Sequence, residues 1–253
     1  EALRARLSED VAGVIVQTPN FFGVLERPWT LEADIHDNGS LLIAAVDPIS
    51  LSILRPPGTW GADIVVGEGQ SLGNDMNFGG PLVGLMACKK DFIRQMPGRI
   101  VSATTDVDGR TAYVLTLQTR EQHIRREKAT SNICTNQGLL AARATFYMSL
   151  LGETGFTELG SVCCNGAHEL AEMIRAIDGY RLAFDGPFFR EFVVETPHKN
   201  TDLLEAARSA GILAGIPLDR YFGGKFANHL MMAVTEKHTH QDFEKVCAVL
   251  RDV

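Results

Sequence analysis

Residues 120–135 read Arg-Glu-Gln-His-Ile-Arg-Arg-Glu-Lys-Ala-Thr-Ser-Asn-Ile-Cys-Thr. The stretch begins with dense charge, passes through Thr130, Ser131 and Asn132, and leads into a long segment with helical apolar spacing. Small polar side chains at such a point are typical of a helix N-terminus, where they cap unpaired backbone N–H groups. Because the same groups suit an anion, the stretch predicts either an ordinary helix cap or an anion site.

The charged part of this stretch also allows two interpretations. Four basic side chains precede the small polar residues: Arg120, Arg125, Arg126 and Lys128. They offset the charge of a bound phosphate, or they pair with Glu121 and Glu127 in a surface network that contributes little free energy.

Composition restricts the class of protein. A chain of 253 residues with 45% hydrophobic and 22% charged residues is typical of a soluble globular protein with one large or two unequal domains. The net charge of −7 argues against nucleic-acid and anionic-membrane partners, and no apolar run approaches the roughly 20 residues of a transmembrane helix.

Five cysteines, odd in number and poorly spaced, predict reduced thiols in a cytoplasmic protein without a metal site. The absence of a starting Met predicts part of a longer chain.

Short apolar runs in the first ninety residues predict a sheet. They cover residues 11–17, 41–46, 62–66 and 81–87. Runs that are apolar throughout favour parallel strands covered on both faces, and hence an α/β fold. Between the first two runs, residues 21–26 predict a helix start or a lid, which Pro28 ends.

The remaining pattern predicts a hairpin, a long helix and a smaller α+β unit. Asp108-Gly109 marks the hairpin turn. The long helix covers residues 135–151, is interrupted from Gly152 to Gly155, and resumes over 167–177. After it come strands within 180–195 and 229–235 and helices at 202–209 and 241–250.

Two predicted strand ends carry polar groups, and α/β folds place ligands at such ends. Asp47 follows the second run, where it is either a cofactor-pairing carboxylate or a turn residue before Pro48. Glu68-Gly-Gln-Ser71 follows the third run. The Gly-rich residues 67–81 are a weak phosphate-loop candidate, because they lack the Gly-Lys-Ser/Thr ending of a nucleotide loop, and a tight turn is the alternative.

Residues 119–140, together with 61–84 and 96–100, resemble the glycine decarboxylase P-protein of the glycine cleavage system. The chain looks most like the C-terminal portion of the N-terminal-half type, which in two-subunit enzymes is a separate chain, subunit 1. The resemblance implies the aspartate-aminotransferase-like (fold type I) fold of the pyridoxal phosphate (PLP)-dependent transferases. Residues 1–140 would form the remainder of the large, mainly parallel-sheet domain. Residues 141–253 would form the interdomain helix and a small C-terminal α+β domain.

The resemblance also implies roles for individual residues. Asp47 holds the place of the carboxylate that pairs with the PLP pyridinium nitrogen, and Ser71 holds the place of the Lys that binds PLP covalently. Because a Ser cannot replace that amine, the chain is expected to carry no catalytic residue, and Asp47 is either a relic or a pocket-organising residue. Thr130, Ser131 and Asn132 hold the place of a segment that reaches the PLP phosphate of the neighbouring subunit.

The implied function is that of the subunit without the lysine in glycine dehydrogenase (decarboxylating). That enzyme decarboxylates glycine and transfers the aminomethyl group to the lipoyl group of H-protein. We therefore expect P-protein subunit 2, carrying PLP, and lipoylated H-protein as partners, with neither nucleic acid nor membrane. Two alternatives stay open: a purely structural or regulatory subunit, and an independent PLP enzyme such as an aminotransferase or cysteine desulfurase, which Ser71 disfavours.

Overall fold

A computed structural model describes residues 2–76, 78–129, 133 and 137–253 of the chain. The strands are β1 (Gly13–Thr18), β2 (Leu41–Val46), β3 (Ile64–Glu68), β4 (Gly84–Cys88), β5 (Ile100–Thr105), β6 (Thr111–Thr116), β7 (Arg181–Leu182), β8 (Glu191–Glu195), β9 (Ile216–Pro217) and β10 (His229–Ala233). The α-helices are α1 (Glu32–Asp37), α2 (Gln122–Arg125), α3 (Gly138–Arg175), α4 (Asn200–Ser209), α5 (Asp219–Phe222) and α6 (His240–Asp252).

The first sheet has the strand order β1-β2-β3-β4. Its strands β1, β2 and β3 are parallel, which confirms the prediction of a mainly parallel sheet. Strand β4 runs antiparallel to β3. The described part of the connection between them holds turns rather than the helix that a parallel crossover normally needs, so the chain folds back beside β3.

Asp63 ties the first sheet to the elements around it. The side chain is buried, and its Oδ2 accepts the Leu42 N–H at 2.7 Å and lies 2.9 Å from His36 Nε2. Its Oδ1 accepts a hydrogen bond from Lys89 Nζ at 2.6 Å. Burial raises the pKa of Asp63, but hydrogen bonds from Lys89 and Leu42 and the contact with His36 outweigh burial and hold the pKa below its usual value.

Helix α3 connects the two sheets over 38 residues and is broken at Gly152, which has φ 62° and ψ −173°. The break confirms the predicted interruption, whereas the predicted gap up to residue 167 is wrong. Small residues in that gap lower intrinsic helix propensity, but they let α3 approach its neighbours closely. A Cβ on Gly160 would lie 1.8 Å from Ser52 Oγ, so tertiary packing decides the conformation here. The predicted helix start at Thr135 lies outside the described residues.

The second sheet is antiparallel, with the order β7-β8-β10-β9. The C-terminal half of α3 packs on it with α4 and α6, around a core that includes Ile174, Leu203, Leu230 and Cys247. The strands and helices predicted for this region are confirmed. The predicted domain division, residues 1–140 and 141–253, stays a prediction.

Strands β5 and β6 form a separate hairpin that confirms the predicted turn. Asp106 Oδ1 accepts the N–H groups of Asp108 and Arg110, both at 2.9 Å, and fixes the turn. Val101 and Tyr113 are largely exposed. Because a two-stranded ribbon alone is marginally stable in water, we expect other protein surface to cover this hairpin.

Replacing Asp63 with Asn is expected to lower the free energy of unfolding by about 2–4 kcal/mol at pH 7, because buried partners lose a charged acceptor. The folded-state pKa of Asp63 is depressed. Its contribution is therefore complete above the unfolded-state pKa and is lost as the pH falls through the folded-state pKa. Denaturant unfolding of both proteins between neutral and acid pH measures the difference, which should shrink as the pH falls.

Asp34→Asn is the matched control. It breaks the exposed ion pair between Arg4 Nε and Asp34 Oδ2, which are 2.7 Å apart, and should cost less than about 1 kcal/mol. Equal losses for the two variants, or a loss for Asp63→Asn that persists in acid, would contradict the assigned role of Asp63.

Candidate functional site

A cavity of about 480 Å³ lies at the carboxyl ends of β2 and β3. This is the edge of an α/β sheet where ligands bind, and the volume is in the range of small-molecule sites. Both sheets contribute to its wall. The polar and charged side chains that line it are Gln17, Asp47, Glu68, Gln70, Ser71, Arg190 and Glu191.

Asp47 is both a turn residue and part of the cavity wall. Its Oδ1 accepts the Ile49 N–H at 3.0 Å, and its backbone carbonyl accepts the Ser50 hydroxyl at 2.7 Å, so the turn after β2 is fixed. Its Oδ2 lies 2.8 Å from Arg190 Nη2. The turn interpretation is thereby confirmed, and the carboxylate charge is directed at a cation from the other side of the cavity.

The cavity wall carries excess negative charge. Burial raises the pKa of Asp47, and the Arg190 guanidinium opposes that rise. Burial also raises the pKa of Glu191, where Arg190 again opposes the rise and Asp47 reinforces it. One guanidinium therefore compensates two partly buried carboxylates.

Behind the cavity, a thiol and a phenol are kept in their neutral forms. Cys163 is fully buried, and its Sγ lies 3.9 Å from Glu236 Oε2. Burial, reinforced by Glu236, raises the pKa of the Cys163 thiol, and the same two causes raise the pKa of Tyr147. A thiol with a raised pKa is a poor nucleophile, so Cys163 is a packing residue.

Ser71 lines the same cavity as Asp47, so the structure brings these two predicted positions together. The Gly-rich segment around Ser71 forms a tight turn. The Glu68 carboxylate accepts the N–H groups of Gln70 at 2.9 Å and Val83 at 3.1 Å. Because a carboxylate already holds these amides, the turn interpretation is favoured over a phosphate loop.

The basic residues before the predicted helix cap divide into two kinds. Arg120 is buried and donates to the backbone carbonyls of Met96 and Gly98, so it ties two backbone segments together and does not pair with Glu121 or Glu127. Arg125, Arg126 and Lys128 are exposed, and within the described ranges none of them forms an ion pair. Thr130, Ser131 and Asn132 lie outside the described residues, so the anion-site interpretation stays a prediction. Helix α3 begins at Gly138 with Gln137 at its N-cap, so the predicted cap of this helix at Ser131, Asn132 or Thr135 is wrong.

Residues 19–25 connect the first sheet to residues 184–191 beside the second, and we call this contact region the junction. The predicted helix at 21–26 is wrong, because Asn20 Oδ1 accepts the N–H groups of Phe22 and Val24 and closes a turn instead, whereas the lid alternative stays a prediction. The Leu25 N–H donates to the Pro187 carbonyl at 2.8 Å. The Phe22 ring lies 5.0 Å from that of Phe184.

Arg190, which pairs with Asp47 in the site, was not predicted from the sequence. It stands in a segment predicted only as strand material, and no pattern distinguishes it from other arginines. Its sequence neighbours are Phe189, which is buried, and Glu191. Neither of them indicates that Arg190 pairs with a residue 143 positions earlier in the chain. Only the fold brings Arg190 to Asp47.

The part of the chain that the structure describes shows neither a membrane-spanning helix nor a metal-binding cluster. None of the described helices combines the length and the apolar character needed to cross a bilayer. In the part of the chain that the structure describes, no three His, Cys, Asp or Glu residues are grouped so as to hold a metal ion. His240, at the start of α6, instead pairs with Glu169 at 2.6 Å.

Comparison with known proteins gives consistent matches along the chain. The family model described as glycine cleavage system P-protein matches residues 2–250. A protein of Desulfitobacterium hafniense is 47% identical over 253 residues, which are 100% of this chain and 56% of that protein. One of Chlorobium limicola is 47% identical over 250 residues, 99% of this chain and 56% of its own length. Both are named probable glycine dehydrogenase (decarboxylating) subunit 1. The chain thus spans about half the length of these relatives.

Solved structures agree with these matches. A crystal structure of inhibitor-bound glycine decarboxylase (P-protein) of the glycine cleavage system superposes with a TM-score of 0.90 at 42% identity, covering 97% of this chain and 55% of that one. A sphingosine-1-phosphate lyase of Burkholderia pseudomallei superposes with a TM-score of 0.67 at 15% identity, covering 99% of this chain and 53% of that one. At that identity the second likeness supports the fold alone.

Gly23 in the junction offers a test of how tightly the cavity wall is held. Its φ is 82°, and a Cβ there would lie 1.9 Å from the Glu191 carbonyl oxygen. Gly39 has a nearly equal φ of 79° with open space around it. Both Ala variants lose left-handed backbone freedom, at about 1–2 kcal/mol, but only Gly23→Ala also overpacks, at about 1–3 kcal/mol. Denaturant unfolding should therefore show a clearly larger loss for Gly23→Ala, and equal losses would contradict the close contact.

Proposed function

The chain belongs to the glycine cleavage system P-protein family, and from this membership we propose that it is part of subunit 1 of a two-subunit glycine dehydrogenase (decarboxylating). The proposed reaction is decarboxylation of glycine, with transfer of the aminomethyl group to the lipoyl group of H-protein. The observation that carries the proposal is the match to proteins named subunit 1 along the full length of this sequence.

The cavity supports a role without a cofactor-binding amine. Ser71 lines it, and among the described residues none of the lining side chains is a lysine. A hydroxyl does not form the covalent bond to an aldehyde that a lysine amine forms. We therefore assign PLP to the partner, subunit 2, where it would supply the electron withdrawal that decarboxylation of an amino acid needs.

This chain would contribute to the partner's site through residues 130–132. Two hydroxyls and a side-chain amide suit a phosphate dianion. Arg125 and Lys128, both exposed just upstream, would add positive charge near that anion. We propose that Thr130, Ser131 and Asn132 donate hydrogen bonds to the phosphate of PLP on subunit 2. Through this contact the chain would also help to position glycine and to exclude water from the partner's site.

Exposed apolar surface supports the proposed assembly. Leu139, Phe146 and Leu150 on the first part of α3 are each more than two-thirds exposed, as is Tyr113 on the hairpin. Apolar surface of this kind marks a protein–protein contact. We propose that subunit 2, together with the rest of the longer chain, covers it.

The proposed function is tested by reconstitution. The full-length chain carrying this sequence, mixed with a lysine-bearing subunit 2, PLP and lipoylated H-protein, is expected to exchange labelled CO2 with the carboxyl group of glycine. Each subunit alone should stay at background. Full activity of subunit 2 alone would reduce this chain to a structural or regulatory subunit, and activity of this chain alone would favour an independent PLP enzyme.

The proposed phosphate contact gives a second prediction. Replacing both Ser131 and Asn132 with Ala should weaken PLP binding to the assembled subunits by roughly ten- to a thousandfold, because a hydrogen bond to a charged group contributes about 1.5–3 kcal/mol and about 1.4 kcal/mol is tenfold. Thermal stability should change by less than about 1 kcal/mol, because the N-cap of α3 is Gln137 and the double variant leaves it unchanged. Titration of PLP into the apoenzyme, with melting curves alongside, measures both. Unchanged PLP affinity with a lowered melting temperature would contradict the phosphate contact and leave only a role in stability.

A further inference from the structure

The cavity of this chain does not fit PLP. The Asp47 carboxylate, which would have to face the pyridinium nitrogen, already faces Arg190 at 2.8 Å. Ser71 provides no amine. Glu68 holds two of the amides near Ser71 and places a negative charge where a phosphate would need donors. The residues present therefore disagree with the cofactor at three separate places.

We infer that Arg190 is the built-in counter-ion of Asp47, and that this pair turns the former cofactor cavity into a clamp between the two sheets. In a cofactor-binding relative of this fold, the cation that faces this carboxylate would be the pyridinium of PLP. In this chain, Arg190 takes that place. Its source is the segment that leads into β8, on the opposite side of the cavity from β2.

The backbone presents Arg190 to the cavity in a fixed position. Its carbonyl accepts the Val234 N–H at 2.9 Å, just beyond the end of β10. The preceding Phe189 is 1% exposed and packs in one core with Ile49 and Leu72 from the first-sheet side. An arginine held on both sides by ordered backbone loses little further conformational entropy when it forms the ion pair.

Asp47 is held as firmly on the other side. Its Oδ1 is bonded to the N–H of Ile49, which is 2% exposed and belongs to the same core as Phe189. The ion pair therefore lies directly above the apolar contact between the two halves. Arg190 and Asp47 are about one-fifth exposed, so the pair is shielded from most of the solvent.

The charges around the pair predict that loss of Arg190 destabilises the clamp more than loss of Asp47. Arg190 faces both Asp47 and Glu191, and burial already raises the pKa of each carboxyl. Removing Arg190 leaves two shielded carboxylates without a cation, whereas removing Asp47 leaves Arg190 with Glu191. Because an uncompensated buried charge is what costs most, Arg190→Gln should loosen the clamp more than Asp47→Asn.

Hydrogen exchange of the full-length chain, free and with subunit 2, tests the clamp. The Leu25 amide, which donates to the Pro187 carbonyl and not to either member of the pair, reports on the junction. Arg190→Gln is expected to speed its exchange by at least about tenfold, which corresponds to about 1.4 kcal/mol. Asp47→Asn should have a smaller effect, and the double variant should be no worse than Arg190→Gln alone.

Arg181→Gln is the matched control, because Arg181 pairs with Glu195 at 2.7 and 2.8 Å within the second sheet. It should leave Leu25 exchange unchanged. The clamp is overturned if Arg190→Gln has no effect on Leu25, or if Arg181→Gln has an equal one.

Equilibrium dialysis of PLP against the assembled subunits tests the disagreement with the cofactor. We expect one bound PLP for each pair of subunits, unchanged by Asp47→Asn. A second equivalent that Asp47→Asn abolishes would overturn the inference. Absence of bound PLP would contradict the proposed function instead, and the exchange measurement would still decide whether the clamp exists.

Discussion

Helix α3 has to contact both sheets at once, and this constraint shapes both cores. Its C-terminal half places Ala171 and Ile174 against the second sheet. Its middle carries Gly160 and Cys163, whose small size allows close contact with the turn at Ser50–Ser52 and with Phe189. The break at Gly152 separates this packed part from the exposed first part. A larger residue at Gly160 would not fit unless the turn moved, because its Cβ would overlap Ser52 Oγ.

The elements that local pattern determines were predictable from the sequence. Strand β2 is apolar at every position and has the predicted bounds, and the Asp108-Gly109 turn defines the hairpin. Such elements depend on neighbours along the chain, so their pattern is visible in it. The turn at Asn20 is different, because one side chain took the amides that a helix would have used. The continuous helix through Gly160 depended on a surface that the local sequence does not describe.

The candidate site also combines residues that the sequence pattern indicates with residues that it does not. Asp47 and Ser71 were recognisable because they follow strands, and the fold puts strand ends together. The roles of Arg190 and Arg120 depend on distant parts of the chain. Arg190 pairs with the Asp47 carboxylate, and Arg120 donates to the backbone carbonyls of Met96 and Gly98. A charged residue in a sequence indicates a need for a partner, but the partner's identity is a property of the folded chain. The family resemblance implies the proposed reaction, and the contact between Arg190 and Asp47 is the basis for inferring that this cavity differs from a cofactor site.

The β5–β6 hairpin has a consequence for how the protein must be made in a cell. Both of its strands are edges, with no third strand on either side among the described residues, and the side chains on both faces are largely exposed. Unpaired edges of this kind recruit strands from other molecules and begin aggregation. Copies whose hairpin stays uncovered would therefore be targets for chaperones and proteases, so the yield of the protein depends on how soon this surface is covered after synthesis. The hairpin thus ties the survival of each copy to the speed with which its edges are covered.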